Sequence, residues 1–275
     1  MMLFGLCDSP VALARPLPLP TCLRPPPPRP QGALEYSLPL KKAESGLDTL
    51  YLWGRVQTRN GKDYVVAEGY NRAFLYKGKV NVELKHFFTQ DGVNWADLED
   101  ISEEDSAVAA GVNTQFTGDG AKVYEVDASG QEVVKADGEE GGEEAPAEGN
   151  RTVTELKRLK FLVKTVTADC GVVPQGSFVE NADNVIVPNL NFRGVHHPEK
   201  LESYVHFLPG PAAGATLAKD PRGTWTVRFD ELQGKALLRS MIWLGYTFYF
   251  DARTCEYGGL YVGTGVRNND LIFML

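Results

Sequence analysis

Cysteine is scarce in this chain of 275 residues: Cys7, Cys22, Cys170 and Cys255 are the whole set, and no two form a CxxC pair. Four thiols so widely spread make neither a zinc ribbon nor a disulfide scaffold, so reduced thiols are expected. An excess of positive charge is also missing, since 28 Lys and Arg stand against 36 Asp and Glu for a net charge of −8. Nothing therefore pulls the chain as a whole toward nucleic acid or an anionic membrane, and neither is expected as a partner. Basic surfaces on other proteins fit that balance. Long apolar runs are absent as well. No stretch approaches the roughly 20 apolar residues of a membrane-spanning helix. The opening MMLFGLC lacks the basic start and sustained apolar stretch of a secretory signal, so the formal sequon at Asn150 has no export route behind it. The sequence reads as that of an intracellular, soluble protein.

The signatures of chemistry are equally thin. No GKS or GKT marks a phosphate loop, and no GxSxG marks a nucleophile elbow. Gly263-Thr264-Gly265 would need a further glycine at 268, where Asn268 stands, and too little chain follows for the helix and second strand of a dinucleotide fold. His196 and His197 are adjacent and diverge on a strand or a helix. With His206 they read as surface histidines rather than metal ligands, and nothing resembles HExxH. Cys170 and Cys255 read as small packed thiols. Asp230 with Glu231, or Asp251, stand out no more than other carboxylates of an acidic chain. No catalytic, cofactor or metal residues are therefore expected, and no enzyme.

What the sequence does have is an unusual start, an acidic interruption and a dense β pattern. Residues 1–32 carry ARPLPLPTCLRPPPPRPQG, whose prolines remove donors and fix φ. They read as a disordered leader, with a docking peptide for proline-binding modules or an upstream start as alternatives. Residues 127–151 are acidic and glycine-rich, too poor in apolar groups to offset the entropy of ordering, and read as a disordered loop. Between and beyond these, residues 45–275 form one principal domain.

Within it, Asn60-Gly61 predicts a tight turn between strands 50–58 and 63–69. Lys77-Gly78 and Asp91-Gly92 predict further turns. Ser102, followed by acidic and small residues, predicts a short capped helix. Leu156, Leu159, Val163 and Val166 lie on one stripe of an amphipathic stretch that runs up to a turn at Gly171, and a short helix is expected to start near Pro198. Strands are predicted at 224–230, 237–243, 246–250 and 259–263. The fold class is thus α+β and β-rich, mainly antiparallel sheet built from hairpins with a few short helices.

Aromatics crowd the C-terminal part. Tyr246, Phe248 and Phe250 alternate with Thr247 and Tyr249, so one face of that strand is aromatic. The candidates for core and protein interface are Trp53, Trp225, Trp243, Tyr246, Phe248, Tyr261 and Phe273. The final stretch GGLYVGTGVRNNDLIFML is apolar where a terminus is usually polar, so a sheet of its own or a partner must cover it.

Three stretches carry a resemblance: LYLWGRVQTRNGKDYVVAEG, PRGTWTVRF and ALLRSMIWLGYTFYFDARTCEYGGLYVGTGVRNNDLIFML. They resemble the radial spoke head protein 9 family of motile cilia and flagella, and more weakly the related radial spoke head proteins 4 and 6. The likeness is close in the C-terminal third and loose between about 71 and 200. Leu244 stands where the family pattern has proline, and residues 1–32 have no counterpart. The resemblance implies a non-enzymatic structural subunit of the axonemal radial spoke head, needed for head assembly and for relaying central-pair signals to dynein. It implies radial spoke head proteins 4, 6, 10 and 1 as partners, indirect contact with central-pair projections, and no cofactor. The alternative on the residues alone is a small-ligand-binding protein whose hairpins close, barrel-like, around a cavity.

Overall fold

A strand turns alternate residues to opposite faces, and the aromatic half of that alternation decides which side of this sheet becomes the core. The computed structural model describes residues 28–70, 84–127, 151–180, 186–207 and 214–273. Its centre is one sheet of eight strands in the order β11-β12-β13-β14-β1-β2-β3-β4. The N-terminal strands are β1 (Thr49–Val56), β2 (Tyr64–Tyr70), β3 (Lys85–Thr89) and β4 (Ala96–Leu98). The C-terminal ones are β11 (Trp225–Asp230), β12 (Lys235–Ser240), β13 (Tyr246–Asp251) and β14 (Tyr257–Gly263). Neighbours pair antiparallel throughout except β1 with β14, which run parallel and join the two ends of the chain. The β-rich α+β class is thereby observed.

Helix α3 (Glu155–Cys170) packs on one face of this sheet. Its Leu159, Leu162, Val163 and Val166 are buried with Tyr64, Val66, Leu238, Phe248, Phe250 and Tyr261. Each such side chain contributes about 1.5–3 kcal/mol of burial, so this layer dominates stability. Helix α1 (Pro28–Ser45) lies on the opposite face, with Leu34 and Leu38 against Val65, Ala67, Leu50, Leu52 and Trp95. Folded structure thus begins ahead of residue 45, the expected start of the domain, because Leu34 and Leu38, one turn apart on the helix, find an apolar strand surface. Residues 1–27 lie outside the described residues, as does most of the acidic stretch 127–151, which is described only at its two end residues.

The local signals act as physical chemistry requires. Gly61 adopts φ 75° in the β1–β2 turn, and the Asp63 carboxylate accepts the Thr58 amide at 2.8 Å, so the strand ends at Val56 rather than 58. Helix α2 (Glu103–Gly111) starts at Ser102, whose Oγ accepts the Asp105 amide at 3.1 Å, and three acidic residues occupy its first turn. Gly92 (φ 79°) turns the chain after β3, with Asp91 accepting the amides of Val93 and Asn94. The Lys77-Gly78 turn lies outside the described residues.

Two expectations are corrected. No helix starts at Pro198: a single 3-10 turn, Leu201–Ser203, leads straight into β10 (Tyr204–His206). Fully buried Tyr204, whose hydroxyl donates to the Pro198 carbonyl at 2.9 Å, draws the segment against β7 (Val172–Pro174) instead. The strand expected at 237–243 runs Lys235–Ser240, and Gly245 at φ 108° bends the chain back toward β13, with Leu244 exposed in that turn. Two further small ladders, β5 (Val123–Val126) with β6 (Arg151–Thr154) and β8 (Phe178–Glu180) with β9 (Ile186–Pro188), complete the described strands.

Candidate interaction site

Six of the seven aromatic candidates are inside. Trp53, Trp225, Trp243, Tyr246, Phe248 and Tyr261 are all buried on the α3 side, whereas Phe273 is 87% exposed. The three tryptophans also use their indole N–H groups. Trp53 donates to Thr167 Oγ1 at 2.9 Å and Trp243 to Asp169 Oδ2 at 2.8 Å, so β1 and the β12–β13 turn hold the last turns of α3. Trp225 donates to Asp220 at 2.8 Å, and the same oxygen lies 2.8 Å from His206 Nε2. His206 is therefore a buried, paired histidine, which corrects the expectation of a surface one. His196 and His197 are exposed, in a loop bordering an open cavity of about 500 Å³.

Two buried polar clusters were not visible beforehand. In the first, Glu155 at the start of α3 is fully buried, yet its carboxylate accepts from Tyr64 Oη, Tyr124 Oη, Thr117 Oγ1 and the amides of Thr117 and Gly118 at 2.6–3.0 Å. Burial alone raises its pKa, but these bonds outweigh it and hold the carboxyl below its ordinary value. The Tyr124 hydroxyl, desolvated and bonded to Glu155, is pushed up to about 12. One turn along, the Arg158 guanidinium stacks 4.2 Å over the Phe116 ring and 5.1 Å from that of Tyr124.

The second is a chain of groups across β1, β2, β3 and α3. Tyr51 Oη donates to Glu68, whose other oxygen lies 3.0 Å from His86 Nε2. His86 Nδ1 lies 3.0 Å from Lys160 Nζ, which pairs with Asp100 at 2.7 Å. An ammonium only donates, so Nδ1 accepts and Nε2 carries the proton given to Glu68. Glu68, His86 and Lys160 are buried, Tyr51 is half-buried, and Asp100 is exposed at the edge of a cavity of about 400 Å³. Chemically, these groups fix β2 and β3 to α3.

The other candidates have structural positions. Asp230 and Asp251 each use Oδ1 to accept two amides of the turn that follows. Cys170 is fully buried, with its thiol pushed up by burial. Gly263-Thr264-Gly265 ends β14, and Gly265 (φ 76°) gives its amide to Tyr261 Oη at 3.0 Å. Among the described residues, no group of three His, Cys, Asp or Glu is placed to hold a metal ion, and no helix is long and apolar enough to cross a membrane.

As a class, this is an open-sheet α+β protein whose buried charges bind its own elements to one another. No family model matches the chain. It is 32% identical over 265 residues to the Xenopus tropicalis protein named Radial spoke head protein 9 homolog, covering 89% of this chain and 91% of that one. The Danio rerio and Homo sapiens proteins of the same name are each 29% identical over the same shares of the chains. The chain belongs to the radial spoke head protein 9 family.

Proposed function

We propose that the protein is a non-enzymatic structural subunit of the radial spoke head in the axoneme of motile cilia and flagella. In this role it is needed for head assembly and for relaying central-pair signals to dynein. The observation that carries this is the likeness to a family member over 91% of its length and 89% of this chain, far more than one motif. The interior supports it, because the most deeply buried charged groups tie strands to helix. Radial spoke head proteins 4, 6, 10 and 1 are the partners this reading names. Exposed Phe273, on the last 3-10 turn (Asn269–Phe273), is the large apolar tail residue available to them among the described residues. Trp53, Trp225, Trp243, Tyr246, Phe248 and Tyr261 act behind that surface as fold anchors. The ligand-binding alternative has less support, since among the described residues the sheet ends at β11 and β4 and is not closed into a barrel.

The test is co-purification of tagged protein from salt-extracted axonemes, with bound proteins identified by mass. Recovery in one complex with other spoke head proteins is expected. Recovery as a lone monomer would overturn the role.

A further inference from the structure

Side-chain alternation divides the sheet into a face toward α3 and a face toward α1, and α1 covers only part of the second. The apolar cluster beneath α1 draws on β1 and β2 and on none of β11–β14. On the same side of β11–β14 stand Arg228, Leu237, Tyr249, Leu260 and Val262, because Leu238, Phe248, Phe250 and Tyr261 point to α3. Leu237, Tyr249, Leu260 and Val262 are half-buried, with the Tyr249 ring lying across Gly258. These four are the apolar centre of a floor whose rim on the same face carries Asp230, Lys235, Arg239 and Asp251.

Helix α1 stands beside it as a step about 10 Å high. Its outward side is apolar too: Tyr36 is 76% and Leu40 70% exposed, four residues apart and opposite the buried Leu34 and Leu38. A helix of a soluble protein that buries one stripe usually presents polar residues on the other. Next to this second stripe Glu35 is exposed and has no ion partner among the described residues. Next to the floor Arg228 is in the same condition.

Step and floor lie on one side of the molecule, each with an apolar centre, and Glu35 and Arg228 beside them are opposite charges without ion partners among the described residues. We infer that this face is a self-association surface whose occupant is a second copy of the chain. A two-fold axis parallel to the strands, above the β14–β1 seam, sets α1 of each copy over the β11–β14 floor of the other. Tyr36 and Leu40 then meet Leu237, Tyr249 and Leu260, and Glu35 faces the partner's Arg228. The contact is isologous and made twice, which doubles its area toward the roughly 800 Å² per partner of a stable interface.

Light scattering after size exclusion, on purified full-length protein over a range of concentrations, reads the mass directly. A dimer is expected. Leu40→Glu and Leu237→Glu should each weaken it by about tenfold or more while leaving the thermal melt in place. Arg228→Glu should weaken it, and Glu35→Arg added to Arg228→Glu should restore it, an outcome that simple misfolding does not produce. A wild-type monomer at every concentration, or a dimer indifferent to all these changes, overturns the inference. So does a monomer that needs Leu237 only to co-purify with axonemal proteins, which gives the floor to a different partner. The measurement uses the protein alone, so its result is separable from that of the axonemal co-purification.

Discussion

Residue 54 is glycine because Tyr261 stands where its side chain would be. A Cβ at Gly54 would lie 2.9 Å from Cβ of Tyr261 and 3.0 Å from its amide nitrogen, and closer still to its carbonyl oxygen. Gly54 and Tyr261 are register partners in the parallel β1–β14 pair, where the two halves of the chain meet. Gly54→Ala must therefore push the strands apart, and a loss of more than about 3 kcal/mol is expected in chemical denaturation. Gly32→Ala is the control: nothing lies within 4 Å of a Cβ there, and removing glycine from a helix should stabilise by about 0.5–1 kcal/mol.

Glu155 makes stability depend on pH. Its carboxyl is held below the ordinary value of 4.5, so the folded state binds its proton more weakly than the unfolded chain. The contribution is then complete above about pH 4.5 and declines as pH falls through the lower folded value. Glu155→Gln should cost about 2–4 kcal/mol at neutral pH, since an amide cannot accept on both sides. It should also flatten the acid limb of a stability-against-pH curve.

Trp243→Phe replaces the indole by a smaller phenyl ring and removes the N–H that holds Asp169. A loss of about 1–2 kcal/mol is expected. Hydrogen exchange should report it as faster opening of the last turn of α3, with the β5–β6 ladder unaffected.

Lys160 and His86 act as one unit. Lys160→Met leaves His86 Nδ1 without its donor, and His86→Ala leaves Glu68 and Lys160 without the ring between them. Each change should cost about 2–3 kcal/mol, and the double change clearly less than the sum. A double-mutant cycle in urea measures the coupling, and additivity would show that the chain of bonds is not cooperative.

Phe273→Asp should leave the melting temperature within about 1 °C, since the ring is exposed and contributes little to the fold. Incorporation into axonemes should be lost if this residue meets a partner. Full rescue of a mutant cilium by the variant would remove the tail from the interface.

The local elements were legible before any folding was considered. Asn60-Gly61, Ser102 with its acidic followers, the Leu159-Val163-Val166 stripe and the Tyr246-Phe248-Phe250 alternation each act through a few neighbouring residues, and each produced its turn, helix or strand. The phase of the buried charges was also present. Glu68 is in step with core-facing Tyr64 and Val66, and Lys160 adjoins Leu159 on the buried stripe of α3. Polarity alone, however, suggests solvent for both. Other features arise from long-range packing: that β1 pairs with β14, that His206 and His86 are inside, that Tyr204 belongs to a strand, and that α1 covers part of a face. These depend on which partners arrive from 14 to more than 100 residues away, as with Asp220 for His206 and Thr167 for Trp53. A buried polar group is tolerated only where such a partner meets it, and that meeting is a property of the folded chain.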